Sequence, residues 1–523
     1  MNKALNELKQ TNLRSNQQAV ADLTRLLKQG HNALEAHYRE LLQEDSQPIE
    51  PLHFITKEKS FPPILSDRID RLALINEYMV TNARQNGSFG ASPMIQAYAD
   101  VRGPYLTSTL ANLASASVNT AKKKSPESIY RPGTNAIGMY AKGIQGAFLA
   151  EHQNIRRLFL RDDQSQVFNL TTQRAVAELA QTLQGLDRHI KANLTTDCFL
   201  AYEIWEIITD MSNIIDEETR ELKNSFTAAL KPIRETSKSS FAELQNDVRR
   251  TIDGLSVLPA NGAAIPIVTE TMARLQNMVN FLRPIAGFMI SIGDGGWRMT
   301  STANVSSDQI PTLNTFDIGS DGAQFWVNFC MDTITQLLET LDRKSQMLNK
   351  NRSVHGVFIL NSYVIIDRMV RTSELDPKLR PRMHELERFR KNAMKDYSGP
   401  WSELSRSIMD VTFKAGTDKR TSGGAPLPAE SAAILKGMSS KEKDERKKIF
   451  LSFNSTFDEL VARHKSLSME REVKQMLARD VQDMIEKLYI RWFDRYHELD
   501  KARGKYVKYD KNAMSAVFLS LGS

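Results

Sequence analysis

Residues 13–41 read LRSNQQAVADLTRLLKQGHNALEAHYREL. Within this stretch Leu13, Val20, Leu23, Leu27, Leu34, Tyr38 and Leu41 are spaced 7, 3, 4, 7, 4 and 3 residues apart. Side chains at such intervals share one face of a helix, so the stretch carries the a/d stripe of a coiled coil or of a long bundle helix. Gln17, Gln18, Asp22 and Arg25 occupy the outer positions, and Gly30 is a weak point inside the helix. Two packings satisfy the stripe: against a partner chain, or against the rest of its own domain. Both remain open at this level.

Moving outward, Pro48, Pro51, Pro62 and Pro63 end the pattern, because proline lacks the donor that a helix ladder needs. Helical patterning returns over residues 64–84, 94–122, 135–184, 196–229, 237–252, 266–281 and 325–348. No proline lies between Pro132 and Pro232, and none follows Pro428. Residues 357–370 form the most apolar stretch, interrupted by Asn361, Ser362, Asp367 and Arg368. It is too short to span a bilayer and reads as a buried helix, with a strand as the alternative. Residues 285–321 are rich in Gly, Ser, Thr, Asn and Asp, and Gly293-Asp294-Gly295-Gly296 marks a loop there. Residues 414–429, with Gly416, Gly423, Gly424, Pro426 and Pro428, form a linker. Three helical stretches follow, over 439–467, 469–500 and 510–521. The chain is therefore expected to be all-α, in four regions: 1–155, 156–320, 321–430 and a basic region at 431–523.

Composition narrows the function. Of 523 residues, 41% are apolar and 25% charged, the balance of a globular protein. Two cysteines, Cys198 and Cys330, cannot build a disulfide framework and read as reduced core residues of a cytosolic protein. Met1 is followed by Asn2, Lys3, Ala4 and Leu5, not by an apolar signal core, so the glycosylation-like triplets at Asn169, Asn193 and Asn454 read as chance matches. Nine histidines are scattered singly. The nearest two, His31 and His37, fall roughly 120° apart around a helix, so they do not pair as metal ligands. There is no H-E-x-x-H, paired C-x-x-C, phosphate-binding loop or nucleophile elbow. Asp216, Glu217, Glu218 and Glu221 lie beside Arg220 and Lys223 and read as solvated pairs. No enzyme activity, metal or cofactor is implied.

The charge is unevenly spread. Residues 378–523 hold 30 basic and 21 acidic residues, against 39 and 41 in the rest of the chain. A basic end calls for an acidic partner or is an ordinary solvated face. Lys487, Arg491 and Arg495 recur every four residues along one helix stripe. Met484, Ile485, Leu488, Trp492, Tyr496 and Leu499 form the apolar face beside it. Then comes KARGKYVKYDK, residues 501–511, with five basic groups. Gly504 is expected to end the helix, Asp510 to cap the next one, and Tyr506 and Tyr509 to seat the loop. Such a patch suits anionic lipid, where each Lys or Arg contributes about 1 kcal/mol. Nucleic acid is set aside, because no motif for it is present.

At several points the chain resembles the seventy-kilodalton subunit family of the exocyst. These are residues 5–42, Pro51-Leu52-His53-Phe54-Ile55, Tyr98–Arg102 with Tyr105, and Tyr130-Arg131-Pro132-Gly133-Thr134 with Tyr140. Further along are Leu258-Pro259-Ala260-Asn261-Gly262 with Pro266 and Glu270-Thr271-Met272, Phe453-Asn454 with Phe457, Trp492-Phe493 with Arg495-Tyr496, and Lys505-Tyr506-Val507-Lys508-Tyr509. Each match is weakly specific; their order along one chain is far more so, and the set is fungal in style. The resemblance implies an elongated rod of stacked antiparallel helix pairs that tethers secretory vesicles. It implies binding of phosphatidylinositol 4,5-bisphosphate through the C-terminal basic patch, contacts with Rho-family GTPases and other exocyst subunits, and a cytoplasmic location, peripheral at the plasma membrane. The lipid role carries onto Lys505 and Lys508, and onto Arg463 and Lys465; Lys487, Arg491 and Arg495 join them from helical geometry alone. Family members carry a further N-terminal coiled coil that pairs with another subunit, and Met1 falls near its end, so that contact is expected to be missing. The alternative is a soluble helical adaptor whose basic end binds an acidic protein without touching lipid.

Overall fold

A computed structural model of the chain describes residues 2–11, 13–85, 92–122, 128–298, 320–413, 435–500 and 504–523. The linker at 414–429, most of the 285–321 loop, and Lys501 and Arg503 lie outside the described residues. The described residues form helices and no strand, as the patterning requires.

The helices are α1 (Asn2–Thr11), α2 (Gln17–Glu44), α3 (Pro51–Thr56), α4 (Ser66–Gln85), α5 (Met94–Lys122), α6 (Ile137–Leu158), α7 (Arg161–Ala192), α8 (Leu194–Thr219) and α9 (Lys223–Asp253). They continue with α10 (Pro266–Met278), α11 (Leu282–Ile292), α12 (Ser320–Leu348), α13 (Arg352–Arg371), α14 (Asp376–Leu379) and α15 (Glu387–Phe413). The last three are α16 (Ser440–Ser466), α17 (Arg471–Tyr496) and α18 (Lys511–Gly522). They form two compact units, residues 1–244 with 280–325, and residues 245–279 with 326–523.

Several expected boundaries move. Residues 135–184 do not form one helical run: the chain breaks at Phe159, which is buried in extended conformation, with φ −119° and ψ 149°. The expected break between 229 and 237 is absent, and α9 runs through Pro232. The chain turns instead at 220–222, where Arg220 (φ 62°) and Leu222 (φ 69°) adopt the left-handed region. Leu13 is exposed in a turn ahead of α2, so the a/d stripe begins at Val20. Only its end, Tyr38 and Leu41, is buried in the first unit. Residues 357–370 are helix, the core of α13.

In the first unit α5 and α6 run antiparallel around a buried ion pair. Arg102 and Glu151 are 2% and 1% exposed, and Arg102 Nη2 lies 2.6 Å from Glu151 Oε2. Tyr98 donates its hydroxyl to Glu151, and Arg102 Nη1 reaches the Asp45 carbonyl at 2.7 Å. Burial works against the guanidinium's charge, but Glu151 outweighs it, so Arg102 titrates above its ordinary value. The cluster thereby ties α5 and α6 to the turn that ends α2.

In the second unit α13 and α15 are antiparallel and closely apposed. A Cβ on Gly356 would stand 2.5 Å from the Ala393 carbonyl oxygen and 2.9 Å from the Tyr397 nitrogen, both backbone atoms that cannot swing aside. The glycine therefore sets the spacing of the two helices on which α16 and α17 rest.

Two outcomes follow. Arg102→Met leaves a carboxylate buried without its partner and lowers stability by about 3–5 kcal/mol, while Arg102→Met with Glu151→Leu recovers most of it. Gly356→Ala costs about 1–3 kcal/mol through overpacking, whereas Gly30→Ala, which meets nothing within 4 Å, is neutral or stabilising by up to about 1 kcal/mol. Urea unfolding of the four variants measures both.

Candidate functional site

The C-terminal region, where the positive excess lies, is built in the second unit on an aromatic cluster. The rings of Phe450 and Trp492 are 3.8 Å apart by centroid, and those of Phe453 and Tyr489 are 5.0 Å apart, joining α16 to α17. Phe457 then meets Trp401 of α15, Tyr509 and Phe518 of α18. Such rings bury large areas with few torsions to freeze, so they make a stiff platform. On α17 the buried ridge is Val481, Ile485, Tyr489, Trp492 and Tyr496; Met484, Leu488 and Leu499, expected on it, are only half-buried.

Gly504 does not end this helix. The α-helix stops at Tyr496 and a single 3-10 turn covers His497–Leu499. Beyond that turn the Asp500 carboxylate gathers the backbone of the loop that starts at Gly504. Its Oδ2 accepts the backbone N–H groups of Gly504 at 3.0 Å, Tyr506 at 2.8 Å and Val507 at 2.9 Å. Burial favours the neutral acid, yet the amides of Val507, Tyr506, Gly504 and Lys505 outweigh it and hold the carboxyl below its ordinary range. Gly504 takes φ +106°, a region that side-chain-bearing residues rarely adopt, and so permits the turn.

The far side of the loop is fixed by α16 and α17. Asn454 donates to the Tyr506 carbonyl at 2.7 Å. Asp458 accepts from Lys508 Nζ at 2.5 Å and from the Tyr509 hydroxyl. The Tyr489 hydroxyl donates to the Tyr509 carbonyl at 2.8 Å, and Lys511 pairs with Asp494 at 2.6 Å. Asp510 caps α18 as expected, accepting the Ala513 N–H at 2.7 Å. Tyr506 and Tyr509 seat the loop.

The expected cations fall into three places. Lys505 and Lys508 stand together on the loop. Lys505 is exposed, lies 5.5 Å from the centre of the Tyr506 ring, and has no carboxylate partner among the described residues. Lys508 is exposed but paired with Asp458, and that hydrogen bond holds it above its ordinary value. Arg463 and Lys465 lie at the C-terminal end of α16, where Arg463 pairs with Glu459 at 2.7 Å and Lys465 is exposed. Between them His464 is buried, accepting from the Tyr397 hydroxyl through Nδ1 and donating Nε2–H to the Leu521 carbonyl. Burial lowers its pKa, so it is a neutral brace among α15, α16 and α18. Lys487 and Arg491 are exposed and Arg495 half-buried on α17, away from its buried ridge.

The structure also brings forward cations that pattern reading passed over. Lys436, Lys443, Lys447 and Lys508 line one open cavity of roughly 1120 Å³, with His497 and Asp500 at its wall. Lys447 lies 5.5 Å from the Tyr506 ring centre, on the same ring as Lys505. The signal was available: Ser439 and Glu442 form a capping box that starts α16, and Lys443 and Lys447 sit one turn apart just inside it. No helix of the described residues is long and apolar enough to cross a membrane.

Helical units with a braced cationic loop define a class of protein that works by contact. Residues 134–520 match the family model for the C-terminal part of Exo70, a component of the exocyst complex. An exocyst complex protein EXO70 of Gibberella zeae is 50% identical over 525 residues, covering 100% of this chain and 82% of that protein. Its Neurospora crassa counterpart is 49% identical over 527 residues with the same coverage. A solved structure of Saccharomyces cerevisiae Exo70 matches with a TM-score of 0.69 at 19% identity, over 100% of this chain and 94% of that one, and speaks for the fold. The chain belongs to the Exo70 family of exocyst subunits. That family consists of tethering-complex subunits and not enzymes; its role is vesicle tethering, with other exocyst subunits as partners.

Asp500→Ala leaves three loop amides without their acceptor. The expected result is faster hydrogen exchange at Gly504, Tyr506 and Val507, with protection of α17 unchanged. Because the folded carboxyl titrates below the ordinary 3.8, its stabilisation is complete above that value and is lost as pH falls through the lower folded value. The acid-induced loosening of the loop in the parent chain should therefore be missing from the variant.

Proposed function

We propose that this protein docks on the plasma membrane at sites of polarised secretion through Lys505, Lys508 and their neighbours. The ligand is phosphatidylinositol 4,5-bisphosphate, and Rho-family GTPases are further partners of the chain. The observation that carries the reading is the loop of residues 504–510, held by Asp500 on an aromatic platform, with Lys508, Lys436, Lys443 and Lys447 lining one concavity and Lys505 on the Tyr506 ring that Lys447 also faces. A multivalent phosphate headgroup suits several lysines converging on one place better than a diffuse basic face does. Arg463 and Lys465, and Lys487, Arg491 and Arg495, supply long-range attraction from outside that concavity. Pre-ordering by Asp500 supports the reading too, since the loop loses little entropy when it meets the ligand.

The Lys508–Asp458 pair works against docking. A headgroup must compete with a carboxylate already in place, so Lys505, free of such a partner among the described residues, makes the first contact. Each lysine is worth about 1 kcal/mol at an anionic surface, so Lys505→Glu with Lys508→Glu weakens vesicle binding by about thirtyfold or more. Sedimentation with vesicles containing or lacking the bisphosphate lipid, across salt concentrations, measures this, with circular dichroism to confirm unchanged helix content. Undiminished binding by the folded double variant would overturn the site. Failure of the parent chain to bind either vesicle, with capture of an acidic GTPase, would move the reading to a protein partner.

A further inference from the structure

Leu451 on α16 is 47% exposed and lies among basic residues of that helix. The loop of residues 504–509 runs along one stripe of α16. Lys447 faces the Tyr506 ring, Asn454 holds the Tyr506 carbonyl, and Asp458 holds Lys508 and Tyr509. These positions are spaced so that Leu451, four residues after Lys447 and three before Asn454, falls on the same stripe beside Tyr506. Lys447 and Lys448 flank it one turn earlier, and Lys505 lies 5.5 Å from the centre of the Tyr506 ring. Lys448 and Lys505 are exposed with no carboxylate partner among the described residues, whereas Lys447 pairs with Asp444 at 3.1 Å.

We infer that Leu451, with the Tyr506 ring beside it, is an apolar foot that enters the interfacial layer of an anionic bilayer while the surrounding lysines hold the headgroups. The inference rests on the membrane-docking reading above and adds a contact that charge alone does not supply. Charge complementarity selects the occupant: an apolar side chain flanked by exposed ammonium groups fits a surface that is anionic outside and hydrocarbon immediately beneath. The two components differ in their response to salt. Lysine contacts weaken as ions screen them, and burial of leucine does not. Docking therefore has a salt-resistant part that depends on residue 451.

Leu451 is half-exposed and outside the aromatic cluster, so it can be changed without opening the core. Leu451→Ser is expected to bind bisphosphate-lipid vesicles nearly as the parent does at low salt, and about tenfold more weakly at high salt. Leu451→Cys gives a direct reading, because Cys198 and Cys330 are both buried and a thiol-reactive environment-sensitive fluorophore reacts at position 451. On vesicle binding its emission should rise and should be quenched by acyl chains brominated near the headgroup. If the labelled chain sediments with the vesicles while the fluorophore stays in water, the inference is overturned and the electrostatic reading stands. If the parent chain does not sediment with any vesicle, both fall together.

Discussion

One buried carboxylate governs the shape of the basic end. Asp500 gathers the amides of Gly504, Tyr506 and Val507 onto a single oxygen, and the loop from Gly504 onward is folded against it. That curl turns what reads as a helix tail into a loop lying along α16. On it Lys508 lines a cavity with Lys443 and Lys447, and Lys505 shares the Tyr506 ring with Lys447, although both helix lysines lie more than fifty residues earlier in the chain.

The two units use charge in opposite ways. In the first, Arg102 and Glu151 are withdrawn from water and saturated by Tyr98, Ser46 and the Asp45 carbonyl, so their charge serves to place helices. In the second, Lys505, Lys448 and Lys465 stay exposed without carboxylate partners among the described residues, while Lys508, Lys511 and Arg463 are each tied to one. Exposed ion pairs contribute little to stability. Their effect here is to divide the cations into a free set and a tethered set, and only the free set meets an incoming anion without first breaking a bond.

Helical periodicity was legible where a helix buries one stripe, as in α17 and at the end of α2, because intervals of three and four residues leave a mark in the chain. Helix ends were less so. A break was expected between residues 229 and 237, but α9 continues through Pro232 there, and the real break falls at Arg220 and Leu222, which are not turn-forming residue types. Tertiary packing sets that corner, and nothing local announces it. The same holds for Phe159, an aromatic residue that ends α6 because its ring is drawn into the core in extended conformation.

By itself the sequence determined the helical class, the concentration of positive charge in the last quarter, and the cluster of basic residues at 501–511. These depend on composition and on short-range spacing. Only the tertiary structure decided which cations share a surface, which are neutralised by Asp458 or Asp494, and that the loop of residues 504–509 is held along the stripe of α16 that carries Leu451. Most of those relations join residues fifty or so positions apart, and folding energy depends on burial and pairing in space, which leave no period along the chain.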